Sequence, residues 1–194
     1  MAFDDIWSAY NEAQLGREPR ELCRAVVAQA GPGRGRLAVD LGCGSGVETR
    51  ALLNSGWRVI AVDSEPSTPA RLASQIGSAE GLEIRVQSFQ ELDLGRVDLV
   101  HAAYALPFID PTDFPSVWQR LRDALNPGGW LAVDLFGDRD EWAETEGMTF
   151  LNRSQVGELL EGLDVVRLDE EDEDGCAFTG PKHWHVFHVL ARQA

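Results

Sequence analysis

The residues best suited to chemistry in this chain stand in one short segment near its start. Asp40 ends an apolar run, and Gly42, Gly44 and Gly46 follow it at every second position. Glycine is needed where the backbone turns sharply or where a ligand approaches the main chain closely. The helix-like pattern that begins at Val47 would aim its free N–H groups at whatever lies above the turn, and such groups favour an anion. The segment therefore predicts a strand, a glycine-rich loop and a helix that hold a carboxylate or phosphate group.

A second acidic residue ends the next predicted strand. The run 58–62 leads into Asp63, and an acid at this place can accept hydrogen bonds from both hydroxyls of a ribose. The dinucleotide fingerprint G-x-G-x-x-G would require glycine where this chain has Val47. The spacing therefore disfavours a nicotinamide dehydrogenase.

Together these residues resemble the first two motifs of class I S-adenosylmethionine-dependent methyltransferases. In particular, the chain resembles the small bacterial methyltransferases that are similar to the tellurite-resistance methyltransferase, over about residues 35–192. The resemblance implies S-adenosylmethionine as the cofactor and a single domain over residues 1–194, in which lid helices (1–34) precede a cofactor-binding core (35–194). A glycine-rich turn that binds no ligand is the alternative.

The resemblance also implies which residues bind the cofactor. Ser88 stands where the family usually carries an acid for the adenine amino group, so Ser88 or Gln90 would replace that acceptor and Phe89 would flank the ring. Trp7 and Tyr10 would lie on the lid, where an aromatic face attracts the sulfonium; ordinary packing on the sheet is the alternative. The full implied set is Tyr10, Asp40, Gly42, Cys43, Gly44, Gly46, Asp63, Ser64, Ser88, Phe89 and His101.

The hydrophobic pattern predicts an α/β fold with a doubly wound, mainly parallel sheet of seven strands, an antiparallel last strand and helices on both faces. The predicted helices are 3–14, 19–30, 47–54, 68–76, 113–125 and 152–160, and the predicted strands are 37–40, 58–63, 82–86, 97–104, 130–135, 163–168 and 182–190. We expect Thr68 to cap the fourth helix and Asn126–Gly129 to form a turn. The acidic run 169–174 predicts a solvated hairpin loop, with a cation-binding loop as the alternative.

Composition narrows the classes of partner. The net charge of −15 argues against a nucleic acid, because phosphate binding needs a basic face. The segment 105–108 also lacks the Asn-Pro-Pro-aromatic clamp that nucleic-acid amino-methyltransferases carry at this place. Three scattered cysteines indicate reduced thiols in a cytoplasm. The acidic N-terminus predicts no signal peptide, and no apolar run is long enough for a membrane span.

Four side chains are candidates for a catalytic role, and for each a packing or positioning role is the alternative. They are His101, Tyr104, His183 and His185. The period of a strand places His183 and His185 on one face of the last strand, at the edge where the cofactor would lie. We expect them to line the substrate end of the pocket. A purely structural role and a metal site are the alternatives, and the metal site lacks a tight ligand spacing.

The function that follows is methyl transfer from S-adenosylmethionine to a small-molecule acceptor, with no membrane partner. The alternative is a non-catalytic protein that binds S-adenosylmethionine as a sensor or partner subunit, since a fold does not fix a function. The residues select neither the acceptor nor an oligomeric state.

Overall fold

The computed structural model describes the backbone of residues 3–194 and the side chains from Trp7 onward, so the first two residues of the predicted lid segment lie outside the described part. Its helices are α1 (Phe3–Ala13), α2 (Glu21–Ala30), α3 (Val47–Asn54), α4 (Thr68–Ile76), α5 (Phe114–Ala124) and α6 (Arg153–Leu159). Its strands are β1 (Leu37–Leu41), β2 (Arg58–Asp63), β3 (Leu82–Val86), β4 (Val97–Ala102), β5 (Leu125–Gly137), β6 (Phe150–Leu151), β7 (Leu163–Ala177) and β8 (Gly180–Gln193). Single 3₁₀ turns lie at Phe89–Glu91 and Leu106–Phe108.

The strands form one mixed sheet in the order β3-β2-β1-β4-β5-β8-β7, and β6 pairs with β5. Strands β1 to β5 pair in parallel, and β8 runs antiparallel to both of its neighbours, β5 and β7. This confirms the predicted fold class. The short strand β6 is an addition that the hydrophobic pattern did not predict. None of the helices described is both long and apolar enough to cross a bilayer.

The acidic run is part of a strand, so the prediction of a hairpin loop is wrong. Residues 169–174 lie inside β7 and pair with β8, with Asp172 opposite His185 and Asp174 opposite His183. Strand alternation sends neighbouring acids to opposite faces of the sheet, and histidine and arginine side chains meet them there. These partners offset the like-charge repulsion that would otherwise oppose strand pairing, while five of the six acids stay exposed to solvent. The hairpin turn comes later, between Ala177 and Gly180.

Two smaller expectations also need correction. Ser67, rather than Thr68, is the residue before the first turn of α4, and its side chain makes no capping hydrogen bond; Thr68 is buried as the first helical residue. The segment 126–129 is not a separate turn, because it is the irregular start of β5, where the register to β4 shifts between Val97 and Leu99. By contrast, Asn152 and Gln155 form the predicted reciprocal cap of α6.

Each face of the sheet carries its own hydrophobic core. On the α2 face, α2 and α3 cover the sheet, and the buried residues include Leu22, Val26, Leu52, Ala38, Leu99, Ala132 and Leu190. On the α5 face, helix α5 covers the sheet, and the buried residues include Val117, Leu121, Val39, Val100, Leu131, Val133 and Val189. Side chains two positions apart on a strand share a face. Asp40, His101, Asp134 and His188 therefore all face α2, although they come from four different strands.

Candidate functional site

The loop after β1 has the conformation that its glycines permit. Gly42, Gly44 and Gly46 all have positive φ angles, of 67°, 48° and 79°, a region that side chains with a Cβ rarely adopt. A Cβ on Gly42 would lie 2.5 Å from the Cβ of Ala105, and one on Gly44 would lie 2.6 Å from Asn11 Oδ1. The loop is thus a tight cradle, closed by the segment after β4 and by α1.

Asp63 lies at the end of β2 and faces this cradle. Its carboxylate accepts hydrogen bonds from two backbone N–H groups, those of Gly44 at 2.9 Å and Glu65 at 3.0 Å. No arginine, lysine or histidine of the described part forms an ion pair with it. Burial raises the pKa of Asp63, an effect that these hydrogen bonds only partly offset. A carboxylate has room for about four hydrogen bonds, so this one can accept further donors from a ligand.

Behind the cradle, Asp40 lies at the centre of a buried cluster of three polar side chains, which also includes Thr49 and His101. One carboxylate oxygen accepts a hydrogen bond from Thr49 Oγ1 at 2.6 Å, and the other pairs with His101 Nδ1 at 2.8 Å. His101 is completely buried, and its Nε2 atom has no partner among the described residues. Burial opposes the charged form of the ring, but the hydrogen bond that the ring donates to Asp40, together with the charge of Asp40, outweighs this and raises the pKa of His101. An orphaned ring nitrogen in such a place marks a position for a ligand atom or an ordered water.

The other predicted cofactor residues lie around the loop in different ways. Cys43 donates its backbone N–H to Val62 O, while its buried side chain packs in a small apolar cluster. Ser64 is exposed beyond the end of β2. The hydroxyl of Ser88 donates to Glu91 Oε2 at 2.9 Å, and no described residue donates to Oε1 of that carboxylate, which lies at the surface. The ring of Phe89 reaches to 3.7 Å from the position of a Cβ on Gly42.

Helix α1 closes over the loop from above. Asn11 is only 4% exposed, and its side-chain amide donates to Glu65 Oε2 at 2.9 Å. The ring of Trp7 packs edge-on against Phe108, and that of Tyr10 packs against Phe178 in the hairpin turn. Helix α1 therefore contacts the segment after β2, the 3₁₀ turn at 106–108 and the turn between β7 and β8.

Beside the loop, the α2 face of the sheet holds a cavity of about 300 Å³. Its lining residues are Arg20, Glu21, Leu22, Tyr104, Asp134, Arg167, Glu171 and His188. We call it the edge cavity. Tyr104 connects it to the loop, because the next residue in the chain, Ala105, contacts Gly42. The edge cavity thus lies next to the glycine-rich loop, at the carboxyl ends of the parallel strands, where α/β folds bind ligands.

His188 forms the floor of the edge cavity between two carboxylates. Its Nδ1 atom lies 2.7 Å from Asp134 Oδ1, and its Nε2 atom lies 3.0 Å from Glu171 Oε2. Burial of the ring favours the neutral form, but the hydrogen bonds and charges of Asp134 and Glu171 outweigh it and raise the pKa of His188 to about 9. Both ring nitrogens therefore donate hydrogen bonds, and His188 is an imidazolium at neutral pH.

Tyr104 forms the wall of the edge cavity in an uncommon conformation. Its φ angle is +54°, and its backbone N–H donates to Asp134 Oδ2 at 3.2 Å. The guanidinium of Arg20 stacks over its ring at 4.6 Å and donates to the hydroxyl of Tyr10 at 2.9 Å. Burial raises the pKa of Tyr104, as does the charge of Asp134. Non-glycine residues with positive φ cluster at functional sites, where the surrounding contacts hold them.

His183 and His185 do not line the edge cavity, because they face the opposite side of the sheet. His183 pairs with Asp174 at 2.8 Å and Asp172 at 2.9 Å. His185 is completely buried, accepts a hydrogen bond from Arg139 N at 3.0 Å and contacts Glu170. Period two did place these histidines together, as expected, but on the α5 face. Their contacts favour the structural alternative.

The structure therefore brings together His101, Tyr104 and the loop residues, but not His183 and His185. It also adds residues that the sequence did not single out: Asn11, Arg20, Glu91, Asp134, Glu171 and His188. A signal existed for Asp134, which is an acid inside the apolar run 130–136 and so needs a buried partner. Among the side chains that the structure describes, no group of three or more His, Cys, Asp or Glu could hold a metal ion.

Comparison with known proteins agrees with this geometry. Residues 38–129 match the family model described as a methyltransferase domain. An uncharacterized methyltransferase from Synechocystis sp. is 30% identical over 151 residues, which cover 69% of each chain. The carboxy-S-adenosyl-L-methionine synthase of Klebsiella pneumoniae (strain 342) is 24% identical over 64% of this chain, and the match spans only 58% of that longer relative.

Two solved structures have the same fold. TehB from Haemophilus influenzae has a TM-score of 0.77 at 14% identity, over 97% of this chain and 67% of TehB. The 1,6-didemethyltoxoflavin-N1-methyltransferase of Burkholderia thailandensis, solved with S-adenosylhomocysteine, has a TM-score of 0.68 at 23% identity, over 98% of this chain and 86% of the other. At these identities the likeness shows the fold alone. With the family model, the Synechocystis relative and the loop geometry, it confirms the resemblance: the chain belongs to the family of S-adenosylmethionine-dependent methyltransferases.

Proposed function

We propose that this chain transfers the methyl group of S-adenosylmethionine to a small-molecule acceptor bound in the edge cavity. The observation that carries the proposal is the direct contact between the two parts of the site. Ala105 packs on Gly42 of the cofactor loop, and the preceding residue, Tyr104, forms the wall of the edge cavity. A cofactor on the loop and an acceptor in the cavity would be neighbours.

The residues around the loop suit the cofactor. Asp63 is a half-buried carboxylate that has only backbone donors among the described residues, and the two hydroxyls of a ribose would supply the donors that it lacks. Gly42 and Gly44 permit the positive φ angles with which the loop turns tightly below the place where a ligand would lie. The orphaned Nε2 atom of His101 offers a further polar contact behind the loop. When bound, S-adenosylmethionine supplies an electrophilic methyl group on a sulfonium.

The adenine end is proposed to lie at the exit of β3. Phe89 reaches toward Gly42 and would flank the ring, as the resemblance implies. The hydroxyl of Ser88 donates to one carboxylate oxygen of Glu91, and the second oxygen has no donor in the part of the chain that the structure describes. We therefore assign the acceptor for the adenine amino group to Glu91, held in place by Ser88, rather than to Ser88 itself.

Helices α1 and α2 are proposed to act as the lid of one domain with a core over residues 35–194. The contacts of Asn11 with Glu65 and of Arg17 with Glu48 support this division, because both join the lid segment to the core. Opening of α1 would admit the cofactor, and closure would exclude water. A dry site raises the energy of the sulfonium cation relative to the transition state, in which the charge is spread.

The contribution of the chain to the methyl transfer step is proposed to be orientation. Neither Tyr104 nor His188 is ready to accept a proton at neutral pH, because burial raises the pKa of Tyr104 and the carboxylates beside His188 keep it charged. Holding the nucleophile, the methyl carbon and the sulfur in line can supply much of the acceleration by itself. The net charge of −15 supports a small acceptor rather than a nucleic acid. The three free thiols support a cytoplasmic location.

The test is a methyl-transfer assay with radiolabelled S-adenosylmethionine and a library of small-molecule acceptors. We expect label to appear in an acceptor with the unaltered chain, and to be lost with Gly44→Val. Gly157→Ala is the matched control, because Gly157 lies on α6 with open space around it. Cofactor binding without transfer to any acceptor would instead support a non-catalytic sensor or partner subunit.

A further inference from the structure

Most charges that line the edge cavity are paired within the protein. Arg167 forms ion pairs with Glu21 at 2.7 Å and with Asp169. His188 forms ion pairs with Asp134 and Glu171. These pairs satisfy each other, so a ligand gains little from contacting them.

Arg20 is the exception among the cations of the edge cavity. Its guanidinium is stacked on the ring of Tyr104 and donates one hydrogen bond, to the hydroxyl of Tyr10. Within the part of the chain that the structure describes, no carboxylate lies at ion-pair distance from it. A guanidinium carries five N–H donors in a planar fork that matches a carboxylate. Most of this fork remains free to bind an anionic group.

Among the anions of the edge cavity, Glu171 has a carboxylate oxygen without a partner in the described part of the chain. Its Oε2 atom accepts from His188, whereas no described residue donates to its Oε1 atom. Asp134 differs, because it is 1% exposed and both of its oxygens have partners. Among the described residues, the edge cavity therefore offers one open cation, Arg20 before α2, and two carboxylate oxygens without a donor, Oε1 of Glu171 and Oε2 of Glu21. Glu171 is the more enclosed of the two, because its side chain is 29% exposed and that of Glu21 is 57% exposed.

We propose that the edge cavity binds an acceptor carrying both an anionic group, such as a carboxylate, and an amine. The anionic group binds Arg20, and the amine binds Glu171 and receives the methyl group. This inference rests on the proposed function and names its substrate class. The ring of Tyr104 and the side chain of Leu22 line the same cavity, so the body of the acceptor can be apolar.

An amine suits the groups that are present better than an alcohol does. An alcohol needs a strong base, and the histidine of the cavity is held as a cation between two carboxylates. An acceptor that binds Glu171 as an ammonium ion first gives one proton to this carboxylate, from which the proton passes to water, and the neutral amine then attacks through its own lone pair. The N–C bond forms as the C–S bond breaks, and the electron pair of the C–S bond stays on sulfur as a neutral thioether. The product leaves as a methylated ammonium ion.

The test uses the full chain saturated with S-adenosylhomocysteine and matched sets of probes, with binding measured by calorimetry. One set is phenylalanine, phenethylamine and 3-phenylpropionate; the other is 2-aminobenzoate, aniline and benzoate. We expect the bifunctional member of at least one set to bind about tenfold or more tightly than either analogue, the effect of one charged hydrogen bond. It should also accept label from the radiolabelled methyl donor.

Two variants assign the ends of the acceptor. Arg20→Gln should abolish the gain in affinity that the carboxylate gives the bifunctional probe, and Glu171→Gln should abolish the gain that the amine gives it. The affinity for S-adenosylhomocysteine should stay unchanged in both variants. Arg24→Gln is the control, because it removes an exposed arginine of α2 outside the cavity.

Three results would overturn the inference. The first is that no probe binds, and the second is that both analogues bind as tightly as the bifunctional probe. The third is that Arg20→Gln weakens binding of S-adenosylhomocysteine but not of the probe, which would assign the anion site to the cofactor. Failure of S-adenosylhomocysteine itself to bind, measured first, would overturn the proposed function and this inference with it.

Discussion

Asp134 makes two contacts in the edge cavity, one with the backbone of Tyr104 and one with the ring of His188. The substitution Asp134→Asn distinguishes them, because it keeps an acceptor for the first and removes the charge from the second. The amide oxygen of asparagine can still accept the hydrogen bond from the backbone N–H of Tyr104. The negative charge 2.7 Å from His188 is lost. We therefore expect the pKa of His188 to fall from about 9 toward its ordinary 6.5, with Glu171 retaining part of the increase.

The size and sign of the effect on stability follow from linkage. A rise in pKa from 6.5 to about 9 in the folded chain corresponds to at most about 3 kcal/mol of folding free energy. The side chain is 21% exposed, and solvent screening reduces this to about 1–2 kcal/mol. The stabilisation is fully present below about pH 6.5 and is lost as the pH rises through about 9. Asp134→Asn should remove most of this dependence.

The assay combines urea unfolding at several pH values with an NMR titration of the His188 ring. Asp164→Asn is the control, since it removes an exposed acid of the same strand as Glu171 without touching the cavity. Each free energy is compared with that of the unaltered chain at the same pH, so that the other titrating groups cancel. Titration of His188 near 6.5 in the unaltered chain would refute the conclusion that this ring is held as a cation between Asp134 and Glu171. So would an identical pH dependence in Asp134→Asn.

The remaining predictions concern the cofactor, the far face and the core. Asp63→Ala should weaken S-adenosylmethionine binding by about 100-fold or more with the fold intact, because two ribose hydroxyls lose a charged acceptor worth about 1.5–3 kcal/mol each; calorimetry and circular dichroism measure both parts, and normal affinity would exclude Asp63 as the ribose ligand. His183→Ala should leave turnover and cofactor affinity unchanged, because His183 faces away from the edge cavity; lost turnover would restore the substrate-lining role. Lys182→Met should destabilise the chain by about 3–5 kcal/mol, since Asp140, 2.5 Å from the lysine, would be left as a buried unpaired charge. Urea unfolding checks this, and a decrease of less than about 1 kcal/mol in the free energy of unfolding would show that Asp140 finds another partner.

Local patterns explain why so much of the loop could be predicted. The strand, the glycines at every second position and the helix after Gly46 are set by residues close in sequence, and the structure follows them closely. The same holds for Asp63, which ends a short apolar run, and for the reciprocal cap of Asn152 and Gln155.

The edge cavity could not be predicted in the same way. Period two separates His183 and His185 from His188, but only the position of β8 between β5 and β7 decides which face meets α2. The length of β7 is likewise a property of its partner strand, because the acids of 169–174 need the histidines opposite them. Arg20 becomes distinctive only when its neighbours in space, Tyr10 and Tyr104, are known.

The loop after β1 and the carboxylate of Asp63 form the proposed binding site for S-adenosylmethionine. Isothermal titration of the full chain with S-adenosylmethionine, S-adenosylhomocysteine and NAD, repeated with Asp63→Ala, tests this assignment most directly. We predict saturable binding of the methyl donor and its demethylated product, no binding of NAD, and loss of the first two in the variant. Binding of NAD without binding of S-adenosylmethionine, or equal affinity for S-adenosylmethionine in both chains, would contradict it.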